Sequence, residues 1–265
     1  MVSAYLGGHE ALGATSRLDI MDRWVHYLHA RKWTVKSILE RRMTNRTSET
    51  ENHLTSKGRA MRDRIVQSAA DLVFATGARE ATLDHVRSAV GASKSQLYHY
   101  FGDKDELLLG VIDFQGERII RAQQPELAAI DSVASLKRWR VKLVQLGDAF
   151  GKVGGCPIGS LANELASHSE DHRRALAVHF GHWASQIEGG LLRMQANGCL
   201  EPSLDPKTLS ITFLTAIQGG LLLAKLQRSS KALATALDEI IRSIERQSER
   251  PKSRARRRQR DAAKR

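Results

Sequence analysis

The sequence predicts an all-α fold, with a small helical head followed by a larger helical body, and three observations lead there. From Met61 onward apolar residues recur at three- and four-residue spacing, and no segment alternates with the two-residue period of a strand. Three helix-start signals crowd into residues 82–106: Thr82 suits an N-cap, and Ser93 with Gln96 and Asp103 with Glu106 each spell a capping box. Caps this close leave room for only two very short helices before a third begins, and Gly91 stands where the first must turn sharply into the second. Short helix, glycine turn, short helix is the layout of a helix-turn-helix.

The elements follow in order. A first helix over about 61–76 places Ile65, Ala69, Leu72 and Val73 on one stripe, and Gly77 ends it. Short helices at about 83–90 and 94–100 come next, then a fourth over about 104–122 that stops before Pro125 and joins head to body. In the body, Leu136, Trp139, Leu143, Leu146 and Phe150 predict a helix near 132–150. Gly154-Gly155-Cys156-Pro157 marks a turn and a new start, with Pro157 favoured in the first helical turn and the helix running to about 167. A long helix over about 170–197 ends at Asn197-Gly198. Asp205-Pro206 opens another to about 228, and a last one covers about 231–247.

The second short helix spends only Leu97 and Phe101 on a core, which leaves Lys94, Ser95, Tyr98, His99 and Tyr100 facing outward. That set suits phosphates and base edges. The run Ser93-Lys94-Ser95-Gln96-Leu97-Tyr98-His99-Tyr100-Phe101-Gly102-Asp103-Lys104-Asp105-Glu106-Leu107-Leu108 resembles the recognition helix of TetR-family transcriptional regulators and its exit into the fourth helix. Ile65-Val66, Ala69-Ala70 and Leu72, then Gly77 and Ala81-Thr82, are similar to that family's first helix and turn; Ala81 and Val73-Phe74 depart from its commoner residues. Gly155-Cys156-Pro157-Ile158-Gly159-Ser160-Leu161-Ala162-Asn163-Glu164-Leu165-Ala166 resembles the effector domain of the subgroup that includes LmrA- and YxaF-type repressors. The resemblance implies an N-terminal three-helix helix-turn-helix domain joined to a C-terminal ligand-binding and dimerisation domain. It also implies a cytoplasmic homodimer that represses transcription until a small-molecule effector releases it from double-stranded DNA.

Each candidate DNA contact has chemistry to match. Lys94 can donate to guanine or to phosphate, and Ser95 and Gln96 are polar at the groove edge, although Gln96 has capping work to do. Tyr98, His99 and Tyr100 can meet phosphates or a thymine methyl, or else pack within the head. Lys104 sits at a positive helix end, and the resemblance gives Thr82 a backbone contact besides its cap. One head reads a short half-site, so a dimer calls for a near-palindromic operator. The expected dimer face is Phe213, Ile217, Gly220 and Ala224 with Leu233, Leu237 and Ile241, on the last two helices. An apolar effector pocket is expected from Trp139, Phe150, Phe180, Trp183, Met194, Phe213 and Gln218. The alternative is a metal- or thiol-responsive repressor. His168, His172, His179 and His182 form a stripe at metal-compatible spacing, and Cys156 precedes a helix start that could lower a thiol pKa.

Charge and composition frame these readings. Of the net charge of +12, residues 251–265 hold eight Lys/Arg against one acid, while residues 105–250 hold seventeen of each sign. The expected domains are an extension at 1–54, the DNA-binding head at 55–103, the body at 104–250 and a basic disordered tail at 251–265. The tail is either a solvated end or a non-specific phosphate-binding arm. Asp22 to Arg42 could form a helix in the extension, which is read as flexible, as lying ahead of a natural start at Met43 or Met61, or as an arm packing on the head or reaching a DNA groove. Two cysteines give no disulfide framework, and neither a secretory signal nor a membrane span is expected. No cofactor and no catalysis are expected, because no nucleophile elbow, Walker loop, HExxH or Rossmann fingerprint is present.

Overall fold

The computed structural model describes the backbone of residues 54–151 and 155–262 and the side chains of 54–149 and 155–248. Expectations for residues 1–53 and for the Phe150 side chain lie outside the described residues. The described residues form helices α1 (Ser56–Thr76), α2 (Leu83–Val90), α3 (Lys94–Tyr100), α4 (Lys104–Ala122), α5 (Val133–Gly151), α6 (Pro157–Leu165), α7 (Glu170–Ala196), α8 (Pro206–Gln227) and α9 (Lys231–Ala262), with no strand among them.

Local chemistry sets most of the boundaries. Thr82, Ser93 and Asp103 cap α2, α3 and α4 through hydrogen bonds from His85, Gln96 and Glu106 backbone N–H groups. Gly91 ends α2 at φ 66°, ψ 27°, a left-handed conformation that costs glycine little, and its N–H returns to the carbonyls of Arg87 and Ser88. Two ends differ from expectation. Helix α1 starts at Ser56 rather than near Met61, because the Thr55 hydroxyl accepts the Gly58 N–H and caps an extra turn. Helix α9 continues past its expected end near 247 to Ala262, through much of the segment 251–265 that is expected as a basic disordered tail. Arginine and alanine are strong helix formers, so the segment's charge does not by itself end the helix.

The packing has a definite polarity. Helices α4 and α7 run parallel: α7 meets the start of α4 at His172 and Asp105, its middle at His179 and Asp113, and its end at Trp183 and Gln123. Beyond α4, Arg193 of α7 donates to the carbonyls of Ala128 and Ile130. Helix α5 then turns back toward the head, and α9 runs antiparallel to it. Ser230 bonds Asp148 near the end of α5, Asp238 pairs with Arg140, and Glu245 pairs with Lys137 near its start. The last turns of α9 therefore leave the body at the end away from the head.

One continuous core runs from Ile65, Leu97 and Phe101 in the head to Trp139, Trp183, Phe213, Leu237 and Ile244 in the body. At its centre the Gln123 Oε1 accepts both indole N–H groups, from Trp139 at 3.1 Å and from Trp183 at 3.2 Å. Gln123 also donates to the Ile119 carbonyl, so its burial leaves no acceptor unmet.

Candidate nucleic-acid interface and sensing cavity

The recognition face is held from behind. Leu97 and Phe101 are buried and fix α3 against the head, and the Ser93–Gln96 capping box bonds in both directions. What remains outward is Lys94, Ser95, Gln96, Tyr98 and His99, all exposed. Tyr98 is 48 % exposed, unusual for so large a ring, and the Lys94 ammonium lies 5.9 Å from its centroid. Tyr100 differs: it packs half-buried against the core, with its ring edge-on to His99. The Gln96 side chain is engaged in the capping box, which commits its Oε1. Lys104 is half-buried and donates to the Arg79 carbonyl at 3.0 Å, which ties α4 to the turn before α2. Thr82 is exposed, with its hydroxyl accepting the His85 N–H.

A second contact joins head and body. The Glu164 carboxylate at the end of α6 accepts the Ala78 N–H at 2.6 Å, and a Cβ on the neighbouring Gly77 would stand 3.2 Å from the same oxygen. No motif signals this contact in sequence, because the partners are 86 residues apart.

The body encloses a cavity of about 30 Å³ lined by α4 (Ile119, Ala122, Gln123), α5 (Leu143, Leu146), Gly155, Cys156, Pro157, α7 (Trp183), α8 (Ile217, Leu221) and Leu233 of α9. This is room for about one water, whereas pockets for drug-sized ligands run to roughly 300–1,000 Å³. Of the described residues expected to form a pocket, only Trp183 lines it. Trp139 and Phe213 are instead spent on each other, edge to face at 5.6 Å and fully buried. Met194 is core, and Phe180 packs half-buried against it. Gln218 stands behind Cys156, as a Cβ on Gly159 would meet both side chains. Its side chain bonds the Cys156 thiol, a weak acceptor, and no stronger partner meets its buried Nε2.

The histidine stripe does not converge on one point. His172 is buried and donates from Nε2 to the Asp105 carbonyl at 3.1 Å, while His179 donates to the Asp113 carboxylate at 2.8 Å. Both therefore bind α7 to α4, with the His179 ring seated where any Cβ on Gly116 would be. His168 and His182 remain exposed, and no metal-competent cluster occurs among the described residues. Burial pushes the Cys156 thiol up, against nearby backbone donors, which is opposite to the activation expected of a redox thiol.

The expected dimer face is inverted. Phe213, Ile217, Gly220, Ala224, Leu233, Leu237 and Ile241 are all buried within the chain. Gly220 lies so close to Leu233 that a Cβ would stand 2.7 Å from its Cα, so the glycine brings α8 onto α9 of the same chain. The other side of α8 is apolar and open, with Ile211, Leu222, Leu223 and Leu226 exposed, the last by 71 %, and open space where a Cβ on Gly219 would stand. That helix is long and apolar enough to cross a membrane by composition, with a third of the relevant stretch buried here.

A three-helix head with an outward polar face, continuous with a helical body, has the layout of a helix-turn-helix DNA-binding regulator. The family model for bacterial regulatory proteins of the tetR family matches residues 65–111, and that for the tetracyclin repressor-like C-terminal domain matches 148–240. The chain belongs to the TetR family of transcriptional regulators. It is 26 % identical to the HTH-type transcriptional regulator YxaF of Bacillus subtilis over 191 residues, covering 71 % of this chain and 96 % of that protein. It is also 26 % identical to LmrA of Bacillus subtilis over 174 residues, 65 % of this chain and 90 % of that one. Among solved structures, regulatory protein TetR from Rhodobacter sphaeroides shares the fold, with a TM-score of 0.61 at 22 % identity over 68 % of this chain and 96 % of that one.

Proposed function

We propose that the chain is a homodimeric repressor that grips a near-palindromic operator with two copies of α3 and is released when a small molecule occupies the body. The observation that carries this reading is the outward face of α3. Lys94, Ser95, Tyr98 and His99 stand exposed on a helix that is capped and anchored from behind, so their chemistry is directed at something outside the chain. Lys94 and Ser95 enter the groove first, and Tyr98 and His99 lie against the phosphates.

Dimerisation uses the exposed side of α8. Ile211, Thr215, Gly219, Leu222 and Leu226 follow helical spacing on that side, and Gly219 lets a partner helix come close. Release follows from the cavity's walls. A ligand larger than one water must push aside α4 or the start of α6, and both helices reach the head. Helix α4 begins at the Asp103 cap, and α6 ends with Glu164 on Ala78. A ligand favouring the expanded body shifts the population toward a head spacing that no longer fits two successive half-sites.

Selection of binding sites from a random duplex pool tests the reading. The expected product is an inverted repeat, and Leu222→Asp with Leu226→Asp should yield a monomer that loses it. A single unrepeated motif, bound by a chain that stays monomeric, would show the reading to be wrong.

A further inference from the structure

A second, smaller cavity lies where head and body meet. Helices α1, α4 and α6 enclose about 10 Å³ there, with apolar walls from Ala70, Val111 and Leu161. That is close to the least room in which one water fits, and nothing larger enters unless a helix moves. Gln115 of α4 lines the cavity and is only 2 % exposed. Its Nε2 donates to the Ala70 carbonyl of α1 at 3.4 Å. A carbonyl is met only by a donor, so the amide's nitrogen end faces α1 and its oxygen end is left for the cavity. No donor among the described residues meets that Oε1, and a buried acceptor without a donor forfeits its hydration with nothing in return. Ser160 and Glu164 of α6 are the other polar residues at the site. One Glu164 oxygen, Oε2, accepts the Ala78 N–H, and the carboxylate has further lone pairs to offer. The site therefore calls for a hydrogen-bond donor no larger than water and able to serve two acceptors at once.

We propose that this cavity binds one water, which donates one hydrogen to the Gln115 Oε1 and the other to the Glu164 carboxylate. An anion is refused by the carboxylate, and a small cation would give up its hydration for one amide and a carboxylate already engaged by Ala78. The water makes Gln115 a three-way tie: its backbone belongs to α4, its nitrogen holds α1 and its oxygen reaches α6. This link runs beside the direct Glu164–Ala78 bond and differs from it in kind. A bridging water can shift and keep both of its bonds, so α4 and α6 can move slightly apart here without leaving Gln115 unmet. The site stands whether or not an effector acts through the body.

Two measurements on the full chain test this. A high-resolution crystal structure should show a water about 2.5–3.0 Å from both the Gln115 Oε1 and a Glu164 oxygen. In solution, nuclear Overhauser effects between water and the methyl groups of Ala70 and Val111 should carry the sign of a long-held water. Both signals should disappear in Gln115→Leu, which keeps nearly the same volume and removes the acceptor. Glu164→Gln, which keeps an acceptor, should retain them. A dry cavity in the wild-type chain, or a water unmoved by Gln115→Leu, overturns the proposal. So does a Tm that rises in ammonium over sodium chloride at equal ionic strength and no longer does so in Gln115→Leu, which makes the occupant an ion. Where Gln115→Leu fails to fold, the wild-type density and Overhauser effects decide alone.

Discussion

The head and the body of this chain use the same element, a short amphipathic helix, in opposite ways. In the head, α3 buries Leu97, and beside it Phe101, to keep an outward polar face fixed, so its information lies on the surface. In the body, α6 buries Cys156 at its cap with Pro157, Ile158 and Leu161, and exposes little that could bind anything. Its information is positional, with a cavity wall at one end and the Glu164 carboxylate on the head at the other. The difference teaches that a polar face is held outward by what is buried behind it, whereas on the proposed reading release would act through cavity walls that can be forced apart.

Breaking the body should therefore cost stability, and breaking the head should cost recognition. The largest expected effect is from Trp139→Ala. It empties a fully buried site, removes the Phe213 edge contact and strips one donor from Gln123, so unfolding free energy should fall by about 3–5 kcal/mol in chemical denaturation. A loss below about 1 kcal/mol would mean that the body is not packed around this residue. The next effect sharpens the link between the two regions. Glu164→Ala leaves the Ala78 N–H without its charged acceptor, worth about 1.5–3 kcal/mol where such bonds are well formed and less at this half-buried position. Operator affinity should change while the cooperative unfolding of the body persists, and Glu164→Gln should restore part of it. Unchanged affinity in Glu164→Ala would make the contact incidental.

The head was legible in sequence because its signals are local. Thr82, Ser93 with Gln96, and Asp103 cap the helices they announce, since a cap and its N–H partner lie within three residues. The Thr55 cap is equally local but sits ahead of the apolar stripe that marks α1, so periodicity alone starts that helix a turn late. The body resisted for a different reason. Helix α8 is apolar on two sides, and period 3.6 finds both stripes without saying which faces inward. The choice falls to Gly220 against Leu233, a contact between helices. The histidine stripe misled in the same way, because spacing places His172 and His179 on one face but only packing supplies α4 as their partner. Of the two indoles expected at a pocket, both donate to Gln123, a residue whose buried role nothing local reveals, and Trp183 alone of the two also lines the cavity.

The basic segment at the end of the chain bears on the comparison last. It carries eight of the forty-one Lys/Arg, yet the backbone of α9 delivers it to the end of the body away from α3. Its share of specific recognition should therefore be the smallest of all. The most direct test is the ratio of affinities for the selected operator and for a scrambled duplex of equal length, measured at one salt concentration. It should be made on the full chain, on Lys94→Ala with Tyr98→Ala, and on a chain lacking residues 251–265. The double variant should lose about 1–3 kcal/mol or more of operator binding and most of the ratio, with its thermal stability intact. Removal of 251–265 should weaken both duplexes alike and leave the ratio unchanged. If the deletion abolishes the ratio and the double substitution preserves it, α3 is not the reading element.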